Sequence, residues 1–170
     1  MQLEIEKVEQ LLTIINLYPA IRIMHFSSGS HLLSKKIVEL CREHGYEYQL
    51  NCTTDVCFEK ANRKYMEYPE VVVKKINVAQ PRYTLQAKAY DYLFVTCPID
   101  EAEQNSFLKK SYAMIKNAGL IVIFIPKDGL REYHLWSELL DENNFVATNR
   151  VNLFEHYDLI ISKKMHGWGS

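Results

Sequence analysis

The chain has 170 residues and a mass of 19.9 kDa, a length that suits one domain and that buries roughly 70% of its unfolded surface without disulfide or metal staples. Hydrophobic residues make up 48% and charged residues 24%, which excludes a disordered chain. Twenty Lys+Arg against 21 Asp+Glu give a net charge of -1 and leave no positive excess for non-specific nucleic-acid binding.

Leu3, Ile5, Val8, Leu11, Leu12 and Ile15 recur at spacings near 3 and 4, which predicts an amphipathic helix ended at Tyr18-Pro19. Ile21 to Phe26 is a short apolar strand, broken by Ser27-Ser-Gly-Ser30. Leu33, Ile37, Leu40 and Cys41 form a second helical stripe, with Gly45 at a C-cap position. Tyr46 to Cys52 reads as a strand, Thr53-Thr54-Asp55 as a helix start, and Phe58, Ala61 and Tyr65 continue that helix to about Met66.

Val71 to Ile76 is β-branched and strand-like, and Gln80-Pro81 breaks the pattern beyond it. Tyr90 to Val95 is another strand. Asp100-Glu-Ala-Glu103 fits a D-x-x-E helix start. Phe107, Leu108, Ser111, Tyr112 and Ile115 carry the stripe, and Gly119 is the expected stop. Leu120 to Ile125 is the clearest buried strand and ends at Pro126. Leu135, Trp136, Leu139 and Leu140 make the last helical face; Phe145 to Leu153 and Tyr157 to Lys163 form two strands joined by Phe154-Glu-His156, short enough for a hairpin.

The order is α, then βα five times with a weak third helix, then β-β. Apolar strands alternating with helices predict a parallel sheet covered on both faces. The expected architecture is α/β: a Rossmann-like three-layer sandwich with a mostly parallel seven-stranded sheet and a C-terminal antiparallel hairpin. One domain is expected over 1–170, with an N-terminal helix in 1–18, a core in 19–164 and a tail in 165–170. Ligand is expected over the carboxyl ends of the first, second and fourth strands.

The four cysteines, Cys41, Cys52, Cys57 and Cys97, include no C-x-x-C pair. They read as buried reduced thiols, no metal site is expected, and the expected location is cytoplasmic. No basic n-region precedes an apolar stretch at the N-terminus, so no signal peptide is read there. The longest apolar run, Leu120 to Pro126, is too short to span a bilayer.

From about Pro19 to Lys164 the chain resembles the class I S-adenosylmethionine-dependent methyltransferase fold. Tyr90-Asp91-Tyr-Leu-Phe-Val95 is similar to that family's "FDLVV" fourth strand. Phe107 to Phe124 resembles its helix, "L-K-P-G-G" turn and fifth strand, and Trp136 to Val146 its "L-x-x-A-G-F" segment. The resemblance implies S-adenosylmethionine as cofactor and methyl transfer to an unidentified acceptor, or else a catalytically inactive relative that uses the fold as a binding or scaffold module. A Rossmann-like protein for another nucleotide or metabolite is a third reading. Fold alone does not choose among them.

The family's G-x-G-x-G glycines fall on His25, Ser27 and Gly29, and its preceding acid near Ile23. Only Gly29 is kept, where backbone approaches ligand closely. The family's ribose-binding carboxylate falls on Leu50-Asn51-Cys52-Thr53, and its adenine-facing Asp on Asn77. The resemblance thus assigns the cofactor to His25, Phe26, Ser27, Ser28, Gly29, Asn51, Cys52 and Asn77, with Asn51 as a neutral acceptor and Ser27, Ser28 and Ser30 at the methionine end. His25 is either a base or ligand contact, or a plug in the pocket.

The family's catalytic N/D-P-P-Y/F segment falls on Thr96-Cys97-Pro98-Ile99. Thr96, Cys97 and Pro98 form either a divergent catalytic loop or a plain turn before Asp100; catalytic residues are otherwise unknown. Cys97-Pro98 reverses the Pro-Cys order of methyltransferases that attack pyrimidine carbon. His134 and His156 read as surface residues. Tyr65, Tyr68 and Tyr83 lie among cations diluted by Glu59, Glu67 and Glu70, an ordinary solvated face. Trp168 either packs on the sheet or meets a partner. The expected partner is a small molecule or protein, a homodimer stays open, and neither nucleic acid nor a membrane is expected.

Overall fold

The computed structural model describes residues 1–166. Twelve elements run in chain order: α1 (Ile5–Leu12), β1 (Arg22–Ser27), α2 (His31–His44), β2 (Glu47–Cys52), α3 (Asp55–Tyr65), β3 (Val71–Lys75), β4 (Tyr90–Val95), α4 (Glu101–Met114), β5 (Ile115–Pro126), α5 (Leu130–Glu142), β6 (Phe145–Asn152) and β7 (Tyr157–Lys164). All seven strands join one sheet in the order β3-β2-β1-β4-β5-β7-β6. β1 to β5 are mutually parallel; β7 runs antiparallel to both β5 and β6. The expected α/β sandwich with its terminal hairpin is what forms. The expected tail role of Trp168 lies outside the described residues.

Alternation along the strands builds two cores. Ile23, Tyr48, Leu50, Phe94 and Val122 face α1, α2 and α3. Met24, Phe26, Leu93, Val95, Ile121 and Ile123 face α4 and α5. Every one of these side chains is at most 2% exposed. The chain leaves β1 toward β2 and β3, then returns to β4 on the other side of β1. That reversal opens a crevice at the carboxyl ends of β1 and β4, where open α/β sheets take their ligands.

Three sequence expectations are corrected. The weak third helix does not form. Residues 76–89 cross from β3 to β4 as a loop, pinned where the Lys110 ammonium donates to the Val78 and Gln80 carbonyls, each at 2.8 Å. Gly119 does not end α4. The helix stops at Met114, and Ile115 is already extended. The carbonyls of Tyr112 and Ile115 receive the Lys164 ammonium at 2.7 and 2.9 Å. Gly119 instead lies inside β5, in an irregularity where Tyr90 pairs with Ile115 but Tyr92 with Leu120. Asp100 occupies the N-cap of α4, yet its side chain makes no cap bond; the D-x-x-E box is not closed. By contrast Thr54 caps α3 by accepting the Cys57 amide at 3.2 Å, and Gly45 ends α2 in the left-handed region at φ 70°.

Candidate functional site

β1 runs one residue further than its apolar stretch, through Ser27. The turn into α2 is Ser28-Gly29-Ser30, with Gly29 at φ +138°, a conformation open to glycine but strained for other residues. Ser27 Oγ accepts the amides of Gly29 and Ser30, both at 3.0 Å, which closes the turn on itself. His25 is therefore a strand residue rather than part of the ligand-facing turn. Its parity sends the ring beneath the N-terminus of α2.

There His25 is wholly buried and anchors a polar cluster. Nδ1 meets the Tyr48 hydroxyl at 2.7 Å and Nε2 meets Thr96 Oγ1 at 2.7 Å. Tyr48 donates to Ser34 Oγ at 3.2 Å. Ser30 Oγ bridges Thr96 Oγ1 at 2.7 Å and Ser27 Oγ at 3.0 Å. None of these six side chains is more than 7% exposed. Burial lowers the His25 pKa to about 3, so the ring is neutral. A neutral imidazole has one donor and one acceptor nitrogen, and each faces a hydroxyl able to take the complementary role. The His25 side of the first turn is thus filled by the chain itself, while a space of about 260 Å³ opens on the α3 side, lined by Ser27, Gly29, Ser30, Ser34 and Cys57 among others. Tyr48, Ser34 and Thr96, as partners of His25, were not visible in the sequence because they come from β2, α2 and the end of β4.

The remaining cofactor candidates separate. Phe26 is buried against Tyr83 and Phe107 on the α4 side, at centroid distances of 4.8 and 5.2 Å. Asn51 points to that same face, fully buried, with Oδ1 accepting from Gln49 at 2.9 Å and Nδ2 unpartnered. Cys52 faces α3, where its thiol sits beside that of Cys57. Asn77 uses Oδ1 to accept the Ala79 amide at 2.9 Å, a local turn at the cleft edge. Of the eight, Ser27, Ser28, Gly29 and Asn77 line open space at this end of the sheet.

Two larger clefts open over the carboxyl ends of the strands. The first, about 470 Å³, lies between the β3 exit and the start of α4, with Ile76, Val78 and Ile99 as apolar walls and Thr53, Asp100 and Glu103 as polar ones. The second, about 510 Å³, lies between the first turns of α4 and α5; Ser28, Thr96, Cys97, Gln104 and Trp136 are among its lining residues. Pro98, Ile99 and Asp100 border both. The three catalytic candidates therefore sit together at the second cleft. Thr96 has its hydroxyl committed to the His25 cluster, and burial pushes the Cys97 thiol up to about 12, so it is protonated and no ready nucleophile. Gln104, Trp136 and Arg131 were missed, because their apolar-stripe and surface positions give no sign of a cleft. Lys75, in the wall of the first cleft, ion-pairs with the exposed Asp55 at 3.0 Å. Among the described residues no group of three or more His, Cys, Asp or Glu is placed to hold a metal, and no helix is long and apolar enough to cross a membrane.

No family model matches the chain, and no curated protein matches it. Solved structures do. The chain superposes on a SAM-dependent methyltransferase from Aquifex aeolicus with a TM-score of 0.72 and 12% identity, covering 92% of this chain and 88% of that one. A geranyl diphosphate C-methyltransferase from Streptomyces coelicolor, solved with Mg2+, geranyl-S-thiolodiphosphate and S-adenosyl-L-homocysteine, matches with a TM-score of 0.68 and 13% identity over 94% of this chain and 76% of that one. The CurJ carbon methyltransferase matches with a TM-score of 0.71 and 11% identity over 94% of this chain. The chain spans about half the length of that protein and of the citrinin polyketide synthase CMeT domain. At such identities the likeness is one of fold.

Proposed function

We propose that the chain is an S-adenosylmethionine-dependent methyltransferase-like protein, with cofactor in the first cleft and a methyl acceptor in the second. The observation that carries this reading is the shared border: Pro98, Ile99 and Asp100 line both clefts. Methyl transfer is an in-line displacement that needs two reactants held end to end, and two clefts meeting at one segment supply that arrangement.

The residues present suit an adenosyl group. Ile76 and Val78 on one side and Ile99 on the other offer an apolar slot for a base, while Thr53, Asp100 and Glu103 bring oxygen acceptors to a sugar or amino edge. Ser28, in the turn before α2, borders the second cleft, so it lies on the acceptor side of this arrangement. Bound S-adenosylmethionine would supply an electrophilic methyl group; the chain's part is to align the acceptor and exclude water. The acceptor's proton leaves to solvent or to the rim carboxylates of Asp100, Glu101 and Glu132.

Binding is expected to be weak. The carboxylates that the family places at the ends of β2 and β3 are Asn51 and Asn77 here, and Asn51 is fully buried. Two lost charged hydrogen bonds correspond to about two to four decades in affinity. Isothermal titration with S-adenosylmethionine and S-adenosylhomocysteine tests the reading. Saturable heat below about 1 mM ligand, with a matching thermal upshift, supports it. No heat and no shift at that concentration leaves the second reading, an inactive binding module, which the self-filled space around His25 favours.

A further inference from the structure

We infer that the second cleft selects a neutral apolar molecule carrying a single O–H or N–H donor, and that Gln104 reads that donor. The inference rests on the proposed placement of cofactor and acceptor, and it adds the acceptor's chemical class.

Gln104 is 6% exposed and lies on the first turns of α4, in the wall of the 510 Å³ cleft. Its Nε2 donates to the Ile99 carbonyl at 3.2 Å, which fixes which end of the amide is nitrogen. Its Oε1 is buried and has no partner. A buried acceptor left unpaired is destabilising, and a ligand donor that satisfies it gains correspondingly. Because Ile99 borders both clefts, an acceptor group bonded to Gln104 sits at their boundary, where methyl transfer would occur.

The rest of the cleft argues for a neutral apolar body. Ile123, Ile125 and Trp136 supply the apolar part of its lining. Cys97 is held in its neutral thiol form. Arg131 reaches from α5 to the Glu101 carboxylate of α4 at 3.2 and 3.3 Å, so the guanidinium at the rim is already paired. Asp100 and Glu132 add further carboxylates there, which repel an anion, while a desolvated cation on one neutral oxygen is costly to bury. A phenolic hydroxyl or heteroaromatic N–H meets these conditions. Methylation at that atom removes the donor, so the same oxygen that favours substrate disfavours product.

The test uses the full chain and follows the Trp136 indole resonance during titration with phenol and anisole, then with indole and 1-methylindole. The expected result is a saturable shift with phenol and with indole, and binding of each methylated partner weaker by about tenfold or more. Gln104→Met should bring phenol down to the affinity of anisole, whereas Gln104→Glu, which keeps an acceptor, should still prefer phenol. Equal affinity for phenol and anisole in the unsubstituted protein overturns the inference, as does a silent Trp136 resonance at about 5 mM of every probe. Adding S-adenosylhomocysteine to the same samples separates the two readings. If it fails to bind while phenol discrimination persists, the cofactor assignment falls and the donor-reading cleft stands.

Discussion

His25 shows how one side chain can change the character of a familiar turn. Where backbone would approach a ligand, an imidazole here is enclosed by Tyr48, Thr96 and Ser30. Its folded pKa of about 3 lies below the ordinary value of 6.5 that governs the unfolded chain. Between those values the unfolded state binds the extra proton. The contribution is thus fully present above pH 6.5 and is lost as pH falls toward 3, at about 1.4 kcal/mol per pH unit. Urea denaturation at about pH 7, 6, 5 and 4 should show that slope. His25→Leu should flatten it and lower stability near neutral pH by about 1–3 kcal/mol through the unpaired hydroxyls; an unchanged slope in the variant would assign the pH response to other groups. The sequence did mark position 25 as unusual, because a histidine stands where a small residue is expected. Its partners Ser34, Tyr48 and Thr96 lie 9, 23 and 71 residues away and could not be read from it.

At the scale of elements, local rules served well wherever both ends of an interaction are near in sequence. Thr54 caps α3 and Gly45 closes α2, as their residue types imply. Thr54→Ala should cost about 1 kcal/mol, and Gly45→Ala about the same, since only the positive φ is at stake and no atom lies within 4 Å of the added Cβ. Gly119→Ala should be worse, about 1–3 kcal/mol. Its Cβ would meet Ile115 Cγ2 at 2.5 Å, the Lys116 carbonyl at 2.9 Å and the Asp91 carbonyl at 3.0 Å. Thermal melts of the three variants check that order, and a Gly119→Ala protein as stable as the other two would show that β5 relaxes around the methyl. Gly119 misled the sequence reading for a physical reason: glycine marks both helix ends and close backbone approach, and only the β4 pairing decides between them. Likewise Gln80-Pro81 signalled a break, but not that Lys110 would hold the whole crossover as a loop.

Across the molecule, two apolar layers on either side of one sheet hold the crevice open at the strand ends. α1 belongs to that framework. Val8, Leu11 and Ile15 are at most 4% exposed, and the Tyr92 hydroxyl on β4 accepts the Asn16 amide at 2.9 Å. Three such side chains correspond to roughly 5–9 kcal/mol of burial, comparable to the stability of a whole domain. Removal of residues 1–18 should therefore leave an insoluble or molten chain; a truncated protein that melts cooperatively near the full-length temperature would contradict this.

Periodicity, caps and strand composition determined the order of elements and hence the α/β sheet, since each depends on neighbours within a few residues and on the demand that apolar faces be covered. The family-like segments around Tyr90–Val95 and Leu120–Ile125 were legible for the same reason, being packing positions. Which side chains meet at the carboxyl edge was settled only by tertiary structure. Strand parity buries His25 under α2 and Asn51 on the opposite face of the sheet, and the approach of α4 to α5 brings Gln104 and Trp136 to one cleft. Those encounters join segments far apart in the chain, and a linear pattern carries no measure of the distances between them.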